Sequence, residues 1–457
     1  MSIKFGTDGW RAILGEDFTI ENVQRVTLAI GKYVKDKFGY DKPILIGYDP
    51  RRMAEEFAAI TSDILKNKGF SVYLSSRIVP TPVLAYNAQL RNACAIMFTA
   101  SHNPPEYLGM KFIPDYAGPA TSEITDAILD NLDKKFDNSE KSGVLHKIDF
   151  APKYYEHIAK LVDFNLIKNV KSHIIFDGLY SASIGYFDEI LKTNKIDFRT
   201  LHMYHDYDFG GGMPDPKPRF LKDLMDKIKN TKNSIGLAND GDADRFGVIN
   251  ENGEYVSPNE IIAILLKYLT EKGYKGAVVK TVGSSLLIDI VAKKLGVELI
   301  ETAVGFKHVG EAMRSHRVII GGEESGGLSI LGHIPEKDGL IANLLILEAM
   351  GKYGKSLVEL QEEIYKFAGT KFYTDRIDLK LDSQDEIKPI LDDVKKLKMI
   401  ASYEITDVDT KDGVKLMLGD ETKILVRPSG TEPLLRIYFE SDNKNKLEEL
   451  KNEPIVK

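Results

Sequence analysis

Three segments of this chain repeat one order of apolar runs, and that order restricts the fold more than any other feature. Pro43-Ile44-Leu45-Ile46-Gly47-Tyr48-Asp49 is followed by a helical pattern through Ile60 and Leu65, then by Phe70-Ser71-Val72-Tyr73-Leu74. Ile174-Ile175-Phe176-Asp177-Gly178 leads through Ile184 and Leu191 to Ile196-Asp197-Phe198. Ala277-Val278-Val279-Lys280-Thr281-Val282-Gly283 leads through Leu287 and Ile290 to Val297-Glu298-Leu299-Ile300. Strand, helix and strand in this order form a crossover unit, whose strands lie parallel and whose helices cover the sheet. The repeats are about a domain length apart, with polar joins between them, which favours separate domains over one continuous sheet.

Beyond Gly369 the pattern changes to alternating runs at residues 373–379 and 423–427, mixed with charged helical stretches. The expectation is three related α/β domains with mixed, largely parallel sheets sandwiched by helices, and a smaller C-terminal α+β domain. Joins near residues 134–147, 251–253 and 368–370 would give domains over 1–150, 151–250, 251–369 and 370–457. Near the N-terminus, Thr19 followed by Val23, Val26, Ile30 and Val34 predicts a capped structural helix.

A net charge of −7 opposes binding to a nucleic-acid backbone, which needs a dense cationic surface. No apolar run reaches the roughly eighteen residues of a membrane span, and the N-terminus runs directly into a Gly-rich polar loop. Neither a signal peptide nor a membrane partner is expected, and the default location is the cytoplasm. Cys94, the single cysteine, lies in the apolar run Ala93-Cys94-Ala95-Ile96-Met97-Phe98 and reads as a packing residue.

Four loops carry chemistry. Thr99-Ala100-Ser101-His102-Asn103-Pro104-Pro105 follows an apolar run, as do ligand loops at strand ends in open α/β sheets. It sets a hydroxyl beside an imidazole, with Lys111 nearby as a second group able to manage a proton; a simple Asx/ST turn is the plainer alternative. In Asn239-Asp240-Gly241-Asp242-Ala243-Asp244-Arg245, three carboxylates at alternate positions repel one another unless a cation sits among them. A hard divalent ion such as Mg²⁺ suits them, since about six oxygen ligands leave places for a phosphate oxygen. A calcium EF-hand is opposed by Arg245, which stands where that loop needs glycine, although Asp240, Asp242, Asp244 and Glu251 have its spacing.

The third loop is Gly321-Gly322-Glu323-Glu324-Ser325-Gly326-Gly327, where Glu323 and Ser325 offer acceptors for sugar hydroxyls. The fourth is Arg427-Pro428-Ser429-Gly430-Thr431-Glu432-Pro433 with Arg436 beyond it. Guanidinium groups, hydroxyls and glycine amides in one place match the donors that a phosphate dianion needs.

Together these loops, in this order and preceded by Phe5-Gly6-Thr7-Asp8-Gly9-Trp10-Arg11, resemble the α-D-phosphohexomutase superfamily, which includes phosphoglucomutase and phosphomannomutase. The resemblance spans nearly the whole chain. It implies four domains around a central cleft, with the fourth moving to close on substrate. It also implies that Ser101 is a phosphoserine completing a Mg²⁺ site formed by Asp240, Asp242 and Asp244. Arg245 would pair with its phosphate, while Arg11, His102 and Lys111 would manage charge and protons. Glu323 and Ser325 would read the sugar, Lys307 in Val304-Gly305-Phe306-Lys307 would line the cleft, and Arg427, Ser429, Gly430, Thr431 and Arg436 would hold the phosphate that is not reacting.

The implied enzyme is a monomer or homodimer that interconverts hexose 1- and 6-phosphates through a 1,6-bisphosphate, with glucose 1,6-bisphosphate as activator. Two positions depart from the commoner family pattern: Leu108 where many members have Asn, and Gly327 where some have His. Glu323-Glu324-Ser325-Gly326-Gly327, with Gly332-His333-Ile334-Pro335-Glu336-Lys337-Asp338-Gly339 beyond it, looks more like glucose-handling members than glucosamine mutases, with mannose also compatible. Three other functions remain to be weighed: a glucosamine or N-acetylglucosamine phosphate mutase, a metal-dependent phosphomonoesterase, and a non-catalytic sugar-phosphate or Ca²⁺-binding protein.

Overall fold

The computed structural model describes residues 3–455 except 7–8, 138–141, 420, 430–432 and 454. The chain forms two compact units, Met1–Pro258 with Ser325–Leu360, and Asn259–Glu324 with Gln361–Lys457.

In the first unit, strands Ile44–Tyr48 and Cys94–Phe98 are buried at every position and pair in parallel. Such strands need cover on both faces, which explains their unbroken apolar sequence. Ile44, Ile46, Cys94, Ile96 and Phe98 share one core with Val23, Val26, Ile30 and Val34 of helix Ile20–Phe38 and with Phe57, Ala58 and Leu65 of helix Ala54–Asn67. Helix Thr81–Leu90 packs on the same two strands outside that core. Ser71–Ser75 and Val144–Ile148 extend the parallel part of the sheet, and Tyr107–Ile113, Gly9–Ile13 and Phe5–Gly6 add an antiparallel edge. Thr19 caps its helix as expected, accepting from the Asn22 amide at 3.3 Å. Cys94 is buried and free.

A second sheet in this unit places His173–Asp177 between Phe198–Leu201 and Ser234–Asn239, all parallel, with Phe246–Ile249 and Tyr255–Val256 antiparallel beyond. The closing strand of the second repeat starts at Phe198, later than the expected Ile196. Lys195 takes a positive φ of 59° and the Ile196 amide bonds back to the Leu191 carbonyl, so Ile196 finishes the helix end instead. The expected join at residues 251–253 is a turn within this sheet, closed by the Asn250 amide on the Glu254 carbonyl.

The second unit holds parallel strands Leu299–Thr302, Ala277–Thr281 and Val318–Glu323 in that order. Its C-terminal sheet is wholly antiparallel, running Tyr373–Lys380, Leu434–Ser441, Thr422–Pro428, Val414–Met417, Asp407–Asp409. The sheets and helices have the architecture expected from the sequence: mixed α/β layers and a smaller α+β region at the C-terminus. Among the described residues no helix is long and apolar enough to cross a membrane.

Helix Gly339–Tyr353 belongs to the first unit and is buried around almost its whole circumference, as its apolar sequence requires. Its N-cap, Asp338, accepts from the Leu340 and Ile341 amides at 2.9 and 3.0 Å and from the Tyr154 hydroxyl at 2.6 Å, and lies 2.8 Å from His333 Nε2. Asn343 on the same helix donates to the Ala238 carbonyl, fixing the helix to the strand that leads into the acidic loop. We expect Asp338→Ala to lower unfolding free energy by about 2–4 kcal/mol, from the lost cap and the buried partners left unsatisfied. Urea denaturation with an unchanged slope and a lower midpoint is the expected result.

Candidate active site

Ser101 lies two residues beyond its loop's first residue, Thr99, at the end of strand Cys94–Phe98, in the left-handed region with φ of 52°. A non-glycine residue holds that conformation only when its surroundings impose it. They do so here through Arg51, a buried residue to which the sequence reading assigned no role. Its guanidinium donates to the carbonyls of Ser101 and Asn103, both at 2.6 Å, and of Pro104 and Tyr107 at 2.8 and 3.0 Å. Asp49 lies 3.4 Å from Arg51 Nε and accepts from the Thr99 hydroxyl, which in turn accepts from the Ser101 amide at 2.8 Å. Burial pushes the Asp49 carboxyl up to about 7 against the opposing effect of Arg51. Arg11, on strand Gly9–Ile13, donates to the Asn103 side chain at 2.6 Å.

The acidic loop connects antiparallel strands Ser234–Asn239 and Phe246–Ile249. It meets the serine loop so closely that a Cβ on Gly241 would stand 2.4 Å from the Ser101 carbonyl oxygen. Glycine is therefore demanded at that position by the neighbouring backbone. Asp240, Asp242 and Asp244 are buried, with ligand oxygens all within 4.8 Å of one another. The Ser101 hydroxyl donates to Asp240 Oδ2 at 2.6 Å, and His102 Nδ1 lies 3.3 Å from the same hydroxyl. Lys111 donates to Asp242 and Asp244 at 2.8 and 3.0 Å. Lys337 approaches Asp244 at 3.3 Å, Thr81 donates to Asp242 at 2.6 Å, and the Arg245 amide donates to Asp240 at 2.9 Å.

Burial, with Asp244 and Asp242 beside it, drives the Asp240 carboxyl well above its usual range. Burial first, then Arg245, Arg11, Lys217 and Lys111, holds His102 well below an ordinary imidazole, so the ring is neutral near pH 7. Asp244 Oδ1 is buried without a hydrogen-bond partner among the described residues. Three buried carboxylates with the ammonium groups of Lys111 and Lys337 beside them, and Asp244 Oδ1 without a partner among the described residues, fit a hard divalent cation bound through oxygen. Glu251, the twelfth position of a calcium loop, lies elsewhere in use: it accepts from Ser172 and from the Leu357 and Val358 amides. The EF-hand alternative is thereby removed.

The remaining expected residues fall mostly in the second unit. Arg427 and Arg436 are direct partners across strands Thr422–Pro428 and Leu434–Ser441. Two like charges side by side are unfavourable unless an anion joins them, and Arg436 Nε is buried with no hydrogen-bond partner among the described residues. The Ser429 amide bonds to the Leu434 carbonyl at 2.8 Å, bringing the two strands together at the loop's base. Gly430 and Thr431 lie outside the described residues. Lys307 is in the first turn of helix Phe306–Ser315, and buried Glu323 ends strand Val318–Glu323. Glu324 turns away to accept from Thr281 at 2.7 Å. Ser325 begins the segment that belongs to the first unit.

Thus Ser101, His102, Lys111, Arg245 and the three aspartates gather as one site, with Arg11 holding its serine loop. Lys337, Thr81 and Arg51 are additions to that set. Lys337 had a signal in the charged Glu336-Lys337-Asp338, and Arg51 in the polar Asp49-Pro50-Arg51 that ends a fully apolar strand.

Comparison with known proteins agrees with this geometry. The chain matches the families described as phosphoglucomutase/phosphomannomutase alpha/beta/alpha domain I over residues 2–139, domain II over 152–253 and domain III over 257–367, and the C-terminal domain over 380–455. The chain belongs to the α-D-phosphohexomutase superfamily. Among relatives of this phosphohexomutase, "Probable phosphoglucosamine mutase" of Methanopyrus kandleri is 30% identical over 453 residues, covering 98% of this chain and 96% of that protein. "Phosphoglucomutase/phosphomannomutase" of Thermococcus kodakarensis is 31% identical over 451 residues, covering 97% and 96%. The crystal structure of a "putative phosphomannomutase" from Thermus thermophilus superposes with a TM-score of 0.87 at 30% identity, covering 99% of this chain and 98% of that one. This protein is accordingly a hexose-phosphate mutase, an isomerase that works by phosphoryl transfer.

Lysine cannot reproduce the planar fork of Arg51 across four carbonyls. We expect Arg51→Lys to lower turnover at saturating sugar phosphate by about a hundredfold, as misplacement of a reacting group by an ångström does. Steady-state kinetics beside a thermal melt will separate this loss from unfolding.

Proposed function

We propose that this phosphohexomutase stores a phosphoryl group on Ser101 and interconverts the 1- and 6-phosphates of a hexosamine or hexose through a bound 1,6-bisphosphate. The observation that carries this reading is the 2.6 Å hydrogen bond from Ser101 to Asp240 inside a buried cage of three carboxylates. In the first half-reaction a sugar hydroxyl oxygen bonds to phosphorus as the bond from phosphorus to Ser101 Oγ breaks, and the hydroxyl proton ends on the freed Ser101 oxygen. In the second, Ser101 Oγ bonds to the phosphorus at the other end of the sugar as that phosphorus parts from its sugar oxygen, and the Ser101 proton ends on the sugar oxygen. Two groups lie within reach of the Ser101 proton: Asp240 Oδ2, which accepts it at 2.6 Å, and His102 Nδ1 at 3.3 Å.

Asp240, Asp242 and Asp244, with an oxygen on Ser101, would hold a Mg²⁺, which supplies positive charge to the transferring phosphoryl oxygens. Lys111, Lys337 and Arg245 add fixed positive groups around the same oxygens, and phosphoryl transfer needs positioning and charge neutralisation above all. Arg427, Arg436 and Ser429 would hold the phosphate that is not reacting, and Glu323, Ser325 and Lys307 would meet the sugar. Glucose 1,6-bisphosphate would prime a dephosphorylated enzyme. Domain boundaries at residues 150 and 369 belong to the same reading, whereas one at 250 would divide the sheet that continues to Tyr255–Val256.

For the sugar, glucosamine phosphate comes first, on the strength of the Methanopyrus kandleri relative's name. The glucose preference, which rests on the resemblance of Glu323-Glu324-Ser325-Gly326-Gly327 and of residues 332–339 to glucose-handling members, becomes the second choice. Relative kcat/KM for glucosamine, glucose and mannose 1-phosphates will rank them, and a glucose value above the glucosamine value reverses the order.

Mass spectrometry of the purified protein is expected to find phosphate on the Ser101 peptide. Ser101→Ala should reduce isomerisation at least about a thousandfold. Asp242→Ala should remove both activity and its Mg²⁺ dependence. Undiminished turnover by Ser101→Ala, or release of inorganic phosphate outpacing isomer formation, would overturn the mutase reading.

A further inference from the structure

The guanidinium of Arg427 is held by a residue that no motif includes. Asp412 Oδ2 accepts from Arg427 Nε at 2.8 Å and from the Val304 backbone amide at 2.9 Å. We propose that Asp412 is a positioning residue that orients Arg427, one of the two phosphate-binding arginines, and fixes it against the segment carrying Lys307. This inference rests on the reading of Arg427 and Arg436 as the site of the non-reacting phosphate.

Several features of the second unit build this contact. Asp412 lies in the turn between strands Asp407–Asp409 and Val414–Met417. Gly413 follows with φ of 81°, and a Cβ there would stand 2.3 Å from the Val426 carbonyl oxygen and 3.0 Å from Arg427 Cα. Glycine thus lets the turn lie directly against the strand that bears Arg427. On its other side the hairpin grips strand Leu299–Thr302: Lys411 donates to the Glu301 carbonyl at 2.8 Å, and Lys415 pairs with the Glu301 carboxylate. Asp412 continues that grip onto Val304, one residue before Gly305, the N-cap of helix Phe306–Ser315, whose second residue is Lys307.

The chemistry follows from which edge of Arg427 is used. Asp412 takes Nε, and among the described residues the terminal nitrogens of Arg427 have no other hydrogen-bond acceptor, so they form the edge offered to an anion. The carboxylate also offsets one of two adjacent guanidinium charges, since Arg427 and Arg436 are in register on neighbouring strands. The two side chains of the pair are only 17% and 19% exposed, so the contact is sheltered from the screening that makes open surface pairs nearly worthless.

The test uses the full-length enzyme with Mg²⁺, a trace of glucose 1,6-bisphosphate, and glucose 1-phosphate or glucosamine 1-phosphate as substrate. Asp412→Ala should lower kcat/KM by at least about tenfold, chiefly through a higher KM, as loss of a charge-assisted contact to a binding group does. Asp412→Asn keeps an acceptor oxygen and should recover most of that loss; it also serves if the alanine variant does not fold. Arg427→Gln alone should raise KM, and adding Asp412→Ala to it should change kcat/KM by less than about twofold, because the carboxylate would then have no arginine to orient. If Arg427→Gln leaves KM unchanged, the phosphate reading is wrong. If Arg427→Gln raises KM while the Asp412 variants do not, or if the two losses multiply, the phosphate reading stands and the positioning role of Asp412 is wrong.

Discussion

Mutual repulsion among Asp240, Asp242 and Asp244 is the constraint on which the first unit depends. Three carboxylates in one buried loop favour dispersal or protonation, and the direction of the Asp240 shift expresses that tendency. The surrounding structure answers with groups drawn from distant parts of the chain. Lys111 comes from an antiparallel strand of the first sheet, Thr81 from the start of a helix packed on that sheet, and Lys337 from the residue before the cap of the buried helix Gly339–Tyr353. A site assembled this way cannot be changed locally. Each neutralising group belongs to an element whose main packing lies elsewhere in the core.

The serine loop is held by different means. Its charges are few, and the difficulty is a backbone conformation that costs about 1–3 kcal/mol at a non-glycine residue. Arg51 meets that cost with four carbonyl contacts, and Asp49 with Thr99 fixes the amide of Ser101 from the other side. The outcome is a hydroxyl aimed at Asp240 while its own carbonyl oxygen presses on Gly241. Rigidity on the serine side and crowded charge on the acidic side put the Ser101 hydroxyl within one hydrogen bond of the three buried carboxylates.

Much of this was legible in the sequence because it rests on periodicity and on unusual local composition. The three strand-helix-strand repeats were readable from apolar runs, and the acidic loop from carboxylates at alternate positions that no ordinary turn collects. The misplaced start of the strand at Phe198 shows where this reading runs out: Ile196 is apolar for packing at a helix end, and only the positive φ of Lys195 separates that role from a strand. The polar Asp49-Pro50-Arg51 marks a strand end, but the role of Arg51 was hidden for another reason. Its function is to satisfy backbone carbonyls about fifty residues away, and such contacts leave no trace in spacing. The sugar preference is hidden more deeply still, because one hydroxyl or amine at C2 alters a few hydrogen bonds and no element of the fold.

The second unit meets the opposite electrostatic problem. Its two in-register arginines repel each other as the aspartates do, with an anion as the natural remedy. A protein with net charge −7 repels a dianionic sugar phosphate at long range, yet at physiological ionic strength that field fades over about 8 Å. Capture therefore rests on donors close enough to touch the phosphate, and their orientation matters more than the overall charge. On the proposed reading of Arg427 as a phosphate ligand, its carboxylate partner would assist anion binding instead of opposing it. Asp412 would weaken the attraction a little and in return hold Nε of the guanidinium, leaving its other edge in one direction. At contact distance a directed pair of hydrogen bonds outweighs the charge that was given up.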